Sequence, residues 1–290
     1  MPIDCKNYCE KAYAKLNLTF RVIQKLSDNY HSIETIMVFF PDIYDTLSIK
    51  ISDKTNITIK GAFAKELISR GGDKLISKTI KEFANFFSKN IKIDVVLKKE
   101  IPLGSGLGGG SADASAVARA ICKIFKIKYK KKELLTILKR IGADCPACFF
   151  STNLLAEGIG EKITFLKKIN YNPWTLIITP PINISTKKIF DSFQGPFSKK
   201  NKLTYSVSNL LYDMNNFKNP LEEVVKKEFH SLNKLFKSLP KINNITPPRM
   251  SGTGSSIFIL FNTQKEAEIY ISNIERITTD CWKKISQLRL

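Results

Sequence analysis

The chain has 290 residues, enough for two modest domains or one large one with ample core. Hydrophobic residues at 43% and charged residues at 25% are ordinary for a soluble globular protein. No apolar run approaches the ~18–20 residues that span a bilayer, and the N-terminus lacks the apolar stretch of a secretion signal. A cytoplasmic location with no membrane partner is therefore expected. The formal net charge of +20 points toward polyanions. The excess is almost all lysine, with only seven arginines, and it is spread along the chain. Its densest run, residues 126–132, joins the end of one predicted helix to the start of the next, with the single aromatic Tyr129 rather than an interleaved set of platforms for base stacking. No nucleic-acid partner is expected, and a polyphosphate substrate suits the same charge.

In chain order, residues 13–23 alternate as a strand, followed by a turn at Ser27-Asp28-Asn29. Residues 33–40 and 46–51 read as further strands separated by a turn from Pro41 to Asp45. Residues 64–68 and 77–87 carry helical periodicity, and 91–97 (IKIDVVL) is a β-branched strand. A glycine-rich loop follows, then a helix with Val117, Ile121 and Ile124/Phe125 at helical spacing. Residues 132–141 place Leu134, Leu138 and Ile141 on one helical face, with Gly142 as the C-cap. Residues 149–157 and 161–166 read as strands around a Gly158-x-Gly160 turn. A new unit starts near Trp174 with the strand 175–179, and continues through helices and Pro-rich turns to the strand 256–261. The elements mix without strict βαβ repetition, so the class is α+β.

The loop Pro102-Leu-Gly-Ser-Gly-Leu-Gly-Gly-Gly-Ser-Ala112 holds five glycines in seven residues. Strand, glycine loop and helix place bare N–H groups and a positive helix end against an anion. A Cβ would block the approach of phosphate oxygens, which is why glycine is needed. A P-loop is excluded because no lysine follows the last glycine. Gly104, Gly106 and Gly109 match G-x-G-x-x-G formally, but the region about 20 residues on is basic where a dinucleotide fold needs an acid. No H-R-D or D-F-G follows, so the protein-kinase loop is excluded as well.

The stretch Pro102-x-x-x-Gly106-Leu107-Gly108-Gly109-Gly110-Ser111 resembles the ATP loop of the GHMP small-molecule kinases. Ala14-Lys15-Leu16-Asn17-Leu18, Asp28-Asn29-Tyr30-His31-Ser-Ile-Glu-Thr35 and Gly142-Ala143-Asp144-Cys145-Pro146 resemble the motifs of one branch. In that branch the acceptor is a cytidine-diphosphate-linked polyol of the non-mevalonate isoprenoid pathway. Ala156-Glu-Gly-Ile-Gly-Glu161 and Ser251-Gly252-Thr253-Gly254-Ser255 match later motifs, so the likeness runs from about residue 12 to about 262. It implies a two-domain fold: an ATP-binding domain over residues 1–168, like domain 2 of ribosomal protein S5, and a ferredoxin-like domain over 169–290, with the active site between them. The chain would act as a monomer or homodimer. Another GHMP kinase of mevalonate type, or a non-catalytic RNA-binding module on an S5-like fold, are the competing readings. Tyr30-His31 argues against the first, and Lys15 with Asp144 against the second.

The resemblance also implies roles. Pro102, Gly104, Gly106, Leu107, Gly108, Gly109, Gly110, Ser111 and Ala112 would hold the ATP phosphates, and Ser111 offers a hydroxyl to Mg²⁺ or a phosphate oxygen. Asp144 resembles the catalytic aspartate that orients the acceptor hydroxyl and takes its proton. Lys15 resembles the catalytic lysine that lowers the hydroxyl's pKa and stabilises the transferring phosphoryl group. Asn17, on the same strand face, would bind the acceptor end of the substrate. Tyr30 and Phe190 would sandwich the cytosine while His31 bonds its edge. Gly252, Thr253 and Gly254 would bring a second loop to the substrate phosphates, and Lys99 is a further candidate for an adenine contact. Asn29 replaces the usual glycine of the Tyr-His motif at little conformational cost, and Asp73-Lys74 replaces an Asp-Asn pair near the adenosine. Cys145-Pro146-Ala147-Cys148 has C-x-x-C spacing, but it lies mid-chain where the family carries apolar residues, so structural filling is the expected role.

Overall fold

The computed structural model describes residues 8–27, 30–200, 206–240 and 246–290. Asp28 and Asn29, which open the Tyr-His motif, lie outside the described residues. In chain order the strands and helices begin with β1 (Tyr8–Lys25), β2 (His31–Ile51), β3 (Asn56–Lys60), α1 (Ala64–Ser69), α2 (Lys74–Phe86) and β4 (Ile93–Lys98). Then come α3 (Gly109–Ile124), α4 (Lys131–Ile141), α5 (Cys145–Phe150), β5 (Leu154–Gly158), β6 (Lys162–Phe165) and β7 (Trp174–Thr179). The remainder is α6 (Thr186–Ser192), α7 (Val207–Asn216), α8 (Leu221–Glu228), α9 (His230–Ser238), β8 (Arg249–Met250), β9 (Ile257–Phe261), α10 (Gln264–Ile274) and β10 (Trp282–Gln287).

Two compact units form, neither continuous in sequence. One comprises Met1–Ala14, Ile43–Leu103 and Gly108–Ser151; the other comprises Lys15–Asp42, Gly104–Leu107 and Thr152–Leu290. No single cut separates them because β1 and β2 are each long enough to run through both.

In the first unit, the C-terminal half of β2 pairs antiparallel with β4, from Thr46↔Lys98 to Ile51↔Ile93, and β3 adds parallel to β4. Four helices pack on one another, α3 against α2 and α5, and α4 against α2 and α5. α3 is buried almost all round, which explains its run of Ala112, Ala114, Ala116, Ala118 and Ala120: small side chains admit close neighbours and favour helix. α2 is capped by Asp73, whose carboxylate accepts the Ile76 amide at 2.8 Å. Gly142 ends α4 as expected, but in extended rather than left-handed backbone (φ −172°). A Cβ there would lie 3.2 Å from Cys145 Sγ.

In the second unit, the N-terminal half of β2 pairs with β5, and β5 with β6. A four-stranded antiparallel sheet has the order β10-β7-β9-β8. With helices α6–α9 between its first two strands and α10 between its last two, this is a ferredoxin-like βαββαβ unit. Leu176, Ile178, Ile257, Ile259 and Phe261 form its core with Ile189, Val225, Leu232, Ala267 and Ile274. Each such large side chain contributes about 1.5–3 kcal/mol on burial.

Two expected elements differ. The turn from Pro41 to Asp45 is absent, and β2 runs through it. β5 pairs with Ile33–Met37 and β4 with Thr46–Ile51, so the missing N–H of Pro41 removes no bond to β4 or β5. Phe149 and Phe150 end helix α5 instead of starting a strand, because Pro146 favours a first helical turn and a short apolar run carries no period of its own.

Candidate active site

The first unit supplies the helix end. Gly108 is the N-cap of α3 in left-handed backbone (φ 69°), with no side chain to cap the helix. The first-turn amides of Gly109, Gly110 and Ser111 are left for a ligand, at the positive end of the helix dipole. Asp144 sits at the start of α5, half-buried, and its carbonyl accepts the Cys148 amide at 2.9 Å. Ser115 of α3 donates through Oγ to the Cys145 carbonyl at 2.9 Å, and Ser111 bonds the Cys145 thiol. The segment carrying Asp144 is thereby docked on the first two turns of the glycine-loop helix.

The second unit supplies the crest of the loop and the polar strand. Lys15 and Asn17 are 4% and 1% exposed, and the Lys15 ammonium donates to Asn17 Oδ1. Asn17 Nδ2 donates to Thr35 Oγ1 at 2.8 Å, and Thr35 passes the chain on to the Thr19 carbonyl at 2.6 Å. The Lys15 amide donates to the Leu107 carbonyl at 2.9 Å, which fastens the loop crest to β1. Ser251 accepts from the Asn17 amide at 3.2 Å and donates to the Gly106 carbonyl at 3.1 Å. The Ser256 amide donates to the Ser105 carbonyl at 2.9 Å, so the loop after Met250 grips the glycine loop backbone to backbone. Gly252 (φ 56°) passes so near the polar strand that a Cβ would lie 2.8 Å from Asn17 Oδ1 and 3.5 Å from Lys15 Nζ. Asn219 holds that approach, donating to the carbonyls of Gly252 at 2.6 Å and Met250 at 3.2 Å. Thr253 Oγ1 lies 3.1 Å from Thr186 Oγ1.

The structure thus brings Lys15, Asn17, Gly106, Leu107, Gly252 and Gly254 together in this unit. Thr35, Asn219 and Ser251 complete the network and were not foreseen. Ser251 had a signal as the first residue of the Ser-Gly-Thr-Gly-Ser motif and Thr35 as the last of the motif that opens at Asp28, whereas Asn219 had none.

The aromatic end of the second unit differs in detail from the expectation. Tyr30 is 58% exposed, whereas His31 is buried and stacks on Phe190 with ring centroids 5.3 Å apart. Phe193 meets the same imidazole edge-on at 5.9 Å. Phe190 therefore presents a face to His31, and it packs against the core of its unit as well. Both ring nitrogens of His31 lack a hydrogen-bond partner among the described residues. Burial and the nearby Lys25 charge lower the imidazole pKa from its ordinary 6.5, so it stays neutral at pH 7.

Lys99 is a correction. Its side chain does not reach a solvent-facing adenine site: it is buried beneath the loop, donating to Asp45 and Asp113 at 2.5 Å each. Burial favours the neutral amine, but the two carboxylates outweigh it and hold the ammonium charged. Burial pushes the Asp113 carboxyl up from its ordinary value, and the ion pair with Lys99 opposes that rise. Asp73 is raised by burial too.

The thiols are packing groups. Cys145 and Cys148 are buried thiols, and burial pushes the Cys145 thiol up to about 12, far from a thiolate at neutral pH. In the native protein, iodoacetamide should label exposed Cys9 while Cys145 and Cys148 react only after unfolding, as peptide mapping will show. Labelling of the pair at the Cys9 rate would return the redox reading.

Among known proteins, residues 74–152 match the N-terminal domain of the GHMP kinases. A 4-diphosphocytidyl-2-C-methyl-D-erythritol kinase of Clostridium acetobutylicum is 32% identical over 272 residues, covering 92% of this chain and 95% of its own. One from Buchnera aphidicola is 34% identical over 262 residues, covering 88% and 87%. In fold, a crystal structure of 4-(cytidine 5'-diphospho)-2C-methyl-D-erythritol kinase superposes with a TM-score of 0.75 at 22% identity, over 98% of this chain and 100% of that one. A homoserine kinase from Cytophaga hutchinsonii gives 0.65 at 18% identity, over 100% and 96%. The chain belongs to the GHMP kinases, and within them to the phosphotransferase family of 4-diphosphocytidyl-2-C-methyl-D-erythritol kinases.

Proposed function

We propose that the chain transfers the γ-phosphoryl group of ATP to the 2-hydroxyl of 4-diphosphocytidyl-2-C-methyl-D-erythritol, giving the 2-phosphate and ADP. The observation that carries this reading is the buried Lys15–Asn17 pair, fastened to the glycine loop and overhung by Gly252. Keeping a lysine ammonium buried in a strand costs desolvation, and a transferring phosphoryl group is where such a charge acts most strongly. In this reading Asp144 accepts the proton of the acceptor hydroxyl as its oxygen bonds to the γ-phosphorus, and the bond to the β-phosphate oxygen breaks to release ADP. Lys15 neutralises charge on the phosphoryl group in flight, and Asn17 orients the acceptor. The amides of Gly108 to Ser111 hold phosphate oxygens, while that of Ala112 closes the first helical turn on the Gly108 carbonyl at 2.9 Å, and Pro102, Gly104, Gly106 and Leu107 shape the crest. Gly252, Thr253 and Gly254 approach the cytidine diphosphate.

Among the described residues no group of three or more His, Cys, Asp or Glu side chains is placed to hold a metal ion. Mg²⁺ would arrive on the nucleotide, where Ser111 would add a hydroxyl ligand and the ion would neutralise phosphate charge. ATP handling is assigned to residues 1–168 and the second glycine loop to 169–290. No helix among the described residues is long and apolar enough to cross a membrane; the proposed setting is the cytoplasm, as a monomer or homodimer with no nucleic-acid partner. ADP release measured across a panel of acceptors tests the reading. The cytidine substrate should be turned over, and preference for mevalonate, homoserine or galactose would sink it.

Base selection has its own test. Tyr30 gives an exposed stacking face, Phe190 backs the imidazole, and neutral His31 has two ring nitrogens to offer the base edge. Tyr30→Ala should raise KM for the cytidine substrate about 5- to 150-fold, the equivalent of one lost stacking contact. His31→Ala should erode discrimination between cytidine and uridine forms. Because the folded imidazole resists protonation, acid favours the unfolded chain as pH falls below 6.5. His31→Gln should remove that part of the acid lability in thermal melts from pH 7 to 5. Unchanged discrimination and unchanged acid lability would take His31 out of the site.

A further inference from the structure

The buried ion cluster under the glycine loop takes no part in the chemistry above. Lys99, Asp45 and Asp113 are each 1% exposed or less. Asp45, near the middle of β2, accepts through Oδ1 the amides of Glu100 at 2.5 Å and Ile101 at 2.8 Å, the two residues that lead β4 into the loop. Its Oδ2 accepts from Lys99 Nζ, which also donates to Asp113 Oδ2. Asp113 is the fifth residue of α3, so one ammonium and one carboxylate join the chain before the loop to the helix after it.

The fit leaves no slack. A Cβ on Gly109 would lie 2.9 Å from Lys99 Nζ and 3.0 Å from Ile101 Cγ2, so the first residue of α3 rests directly on the ammonium. The backbone of Lys99 is fixed as well: its amide donates to the Lys60 carbonyl at 2.7 Å, and a Cβ on Gly61 would lie 2.6 Å from its carbonyl oxygen. Apolar side chains of similar volume would serve stability as well as a buried ion cluster does. What they lack is direction. Two short charge-assisted bonds fix the distance between strand end and helix start, and that distance decides where the α3 amides point.

We propose that Lys99, Asp45 and Asp113 are positioning residues that set the spacing of the strand and helix flanking the glycine loop, and through it the grip of the α3 N-terminus on ATP. The proposal rests on the reading of that loop as the nucleotide site. None of the three touches substrate; each acts through the amides it holds in place.

Isothermal titration of the full chain with Mg·ATP is the direct test, with KM for the cytidine substrate measured in parallel. Asp113→Asn keeps the shape and an acceptor oxygen but removes one charge, and Lys99→Met keeps the length but removes both bonds. We expect the dissociation constant for ATP to rise about 10-fold in Asp113→Asn and about 100-fold in Lys99→Met, with KM for the cytidine substrate within about twofold. A merely stabilising role would lower the melting temperature and the folded fraction, yet leave the ATP constant of the folded molecules unchanged. That result in Asp113→Asn overturns the proposal, and Asp113→Asn with Asp45→Asn decides it if Lys99→Met does not fold. A parent chain that binds no ATP would overturn the nucleotide reading and this proposal with it. A parent that binds ATP, with variants that bind equally well, overturns this proposal alone.

Discussion

Asp144→Asn is expected to lower kcat by about 10²–10⁴-fold while ATP affinity stays within about threefold of the parent. The substitution swaps a carboxyl group for an amide of the same shape. Two bonds that hold the Asp144 segment use other groups: Ser115 to the Cys145 carbonyl, and the Cys148 amide to the carbonyl of residue 144 itself. Pro146 in the first turn of α5 and the burial of Cys145 to Phe149 keep the helix in place. What is lost is the capacity to orient the acceptor hydroxyl through a charged oxygen and to take its proton. Phosphoryl transfer asks little else of the protein beyond positioning and charge neutralisation, so one missing acceptor falls wholly on the chemical step. Steady-state ADP release and calorimetric titration of ATP check the two halves of the expectation. Turnover within about threefold of the parent removes Asp144 from the mechanism.

The parts of this fold that were legible in sequence are those whose cause is local. Gly104, Gly106 and Gly108 stand at alternate positions because the backbone is left-handed at each (φ 60°, 76° and 69°), and such a constraint leaves a mark in the residues themselves. The terminal Gly142 of α4 is local in the same way. The ferredoxin-like unit announced its first strand at 175–179 and its third at 256–261, which are buried and rich in Ile, Leu and Phe. Its last strand was not read: β10 (WKKISQ) carries two lysines, and its pairing with β7 across more than 100 residues is what makes it a strand. The supporting residues of the site share that difficulty. Asn219 reaches carbonyls 31 and 33 residues away, Ser251 bonds Asn17 across 234 positions, and Lys99 meets Asp45 across 54. None of these has a periodicity or spacing of its own. Ser251 stood out only through its motif, and Asp113 left a trace as the single acid of α3, set among small and apolar residues, which marks a buried charge and leaves its partner unnamed.

Gly106→Ala is expected to reduce kcat/KM for ATP by more than about 10²-fold, as a 1 Å displacement of a positioned loop can. Two costs meet at this residue. Its φ of 76° lies in the left-handed region, where a Cβ costs roughly 1–2 kcal/mol. In addition, that Cβ would lie 2.5 Å from the Ser251 carbonyl oxygen and 2.7 Å from that of Gly254. Both neighbours are backbone, so no rotamer change relieves the collision, and one of the two loops has to move. Ser251 also bonds the Asn17 amide and the Gly106 carbonyl, so movement there disturbs the strand that carries Lys15 together with the crest of the glycine loop. The strain is separated from the collision by Gly71→Ala. Gly71 has a similar φ of 89°, but the nearest atom to its added Cβ is Lys74 Cε at 3.6 Å, the end of a flexible side chain. That variant should melt earlier by an amount corresponding to about 1 kcal/mol and keep its kcat/KM for ATP. If Gly106→Ala behaves like Gly71→Ala, losing stability alone, the close approach of the two glycine loops has no part in nucleotide handling. A loss of kcat/KM confined to Gly106→Ala assigns the effect to the collision, and so to the fit between the loop at 104–107 and the loop at 251–256.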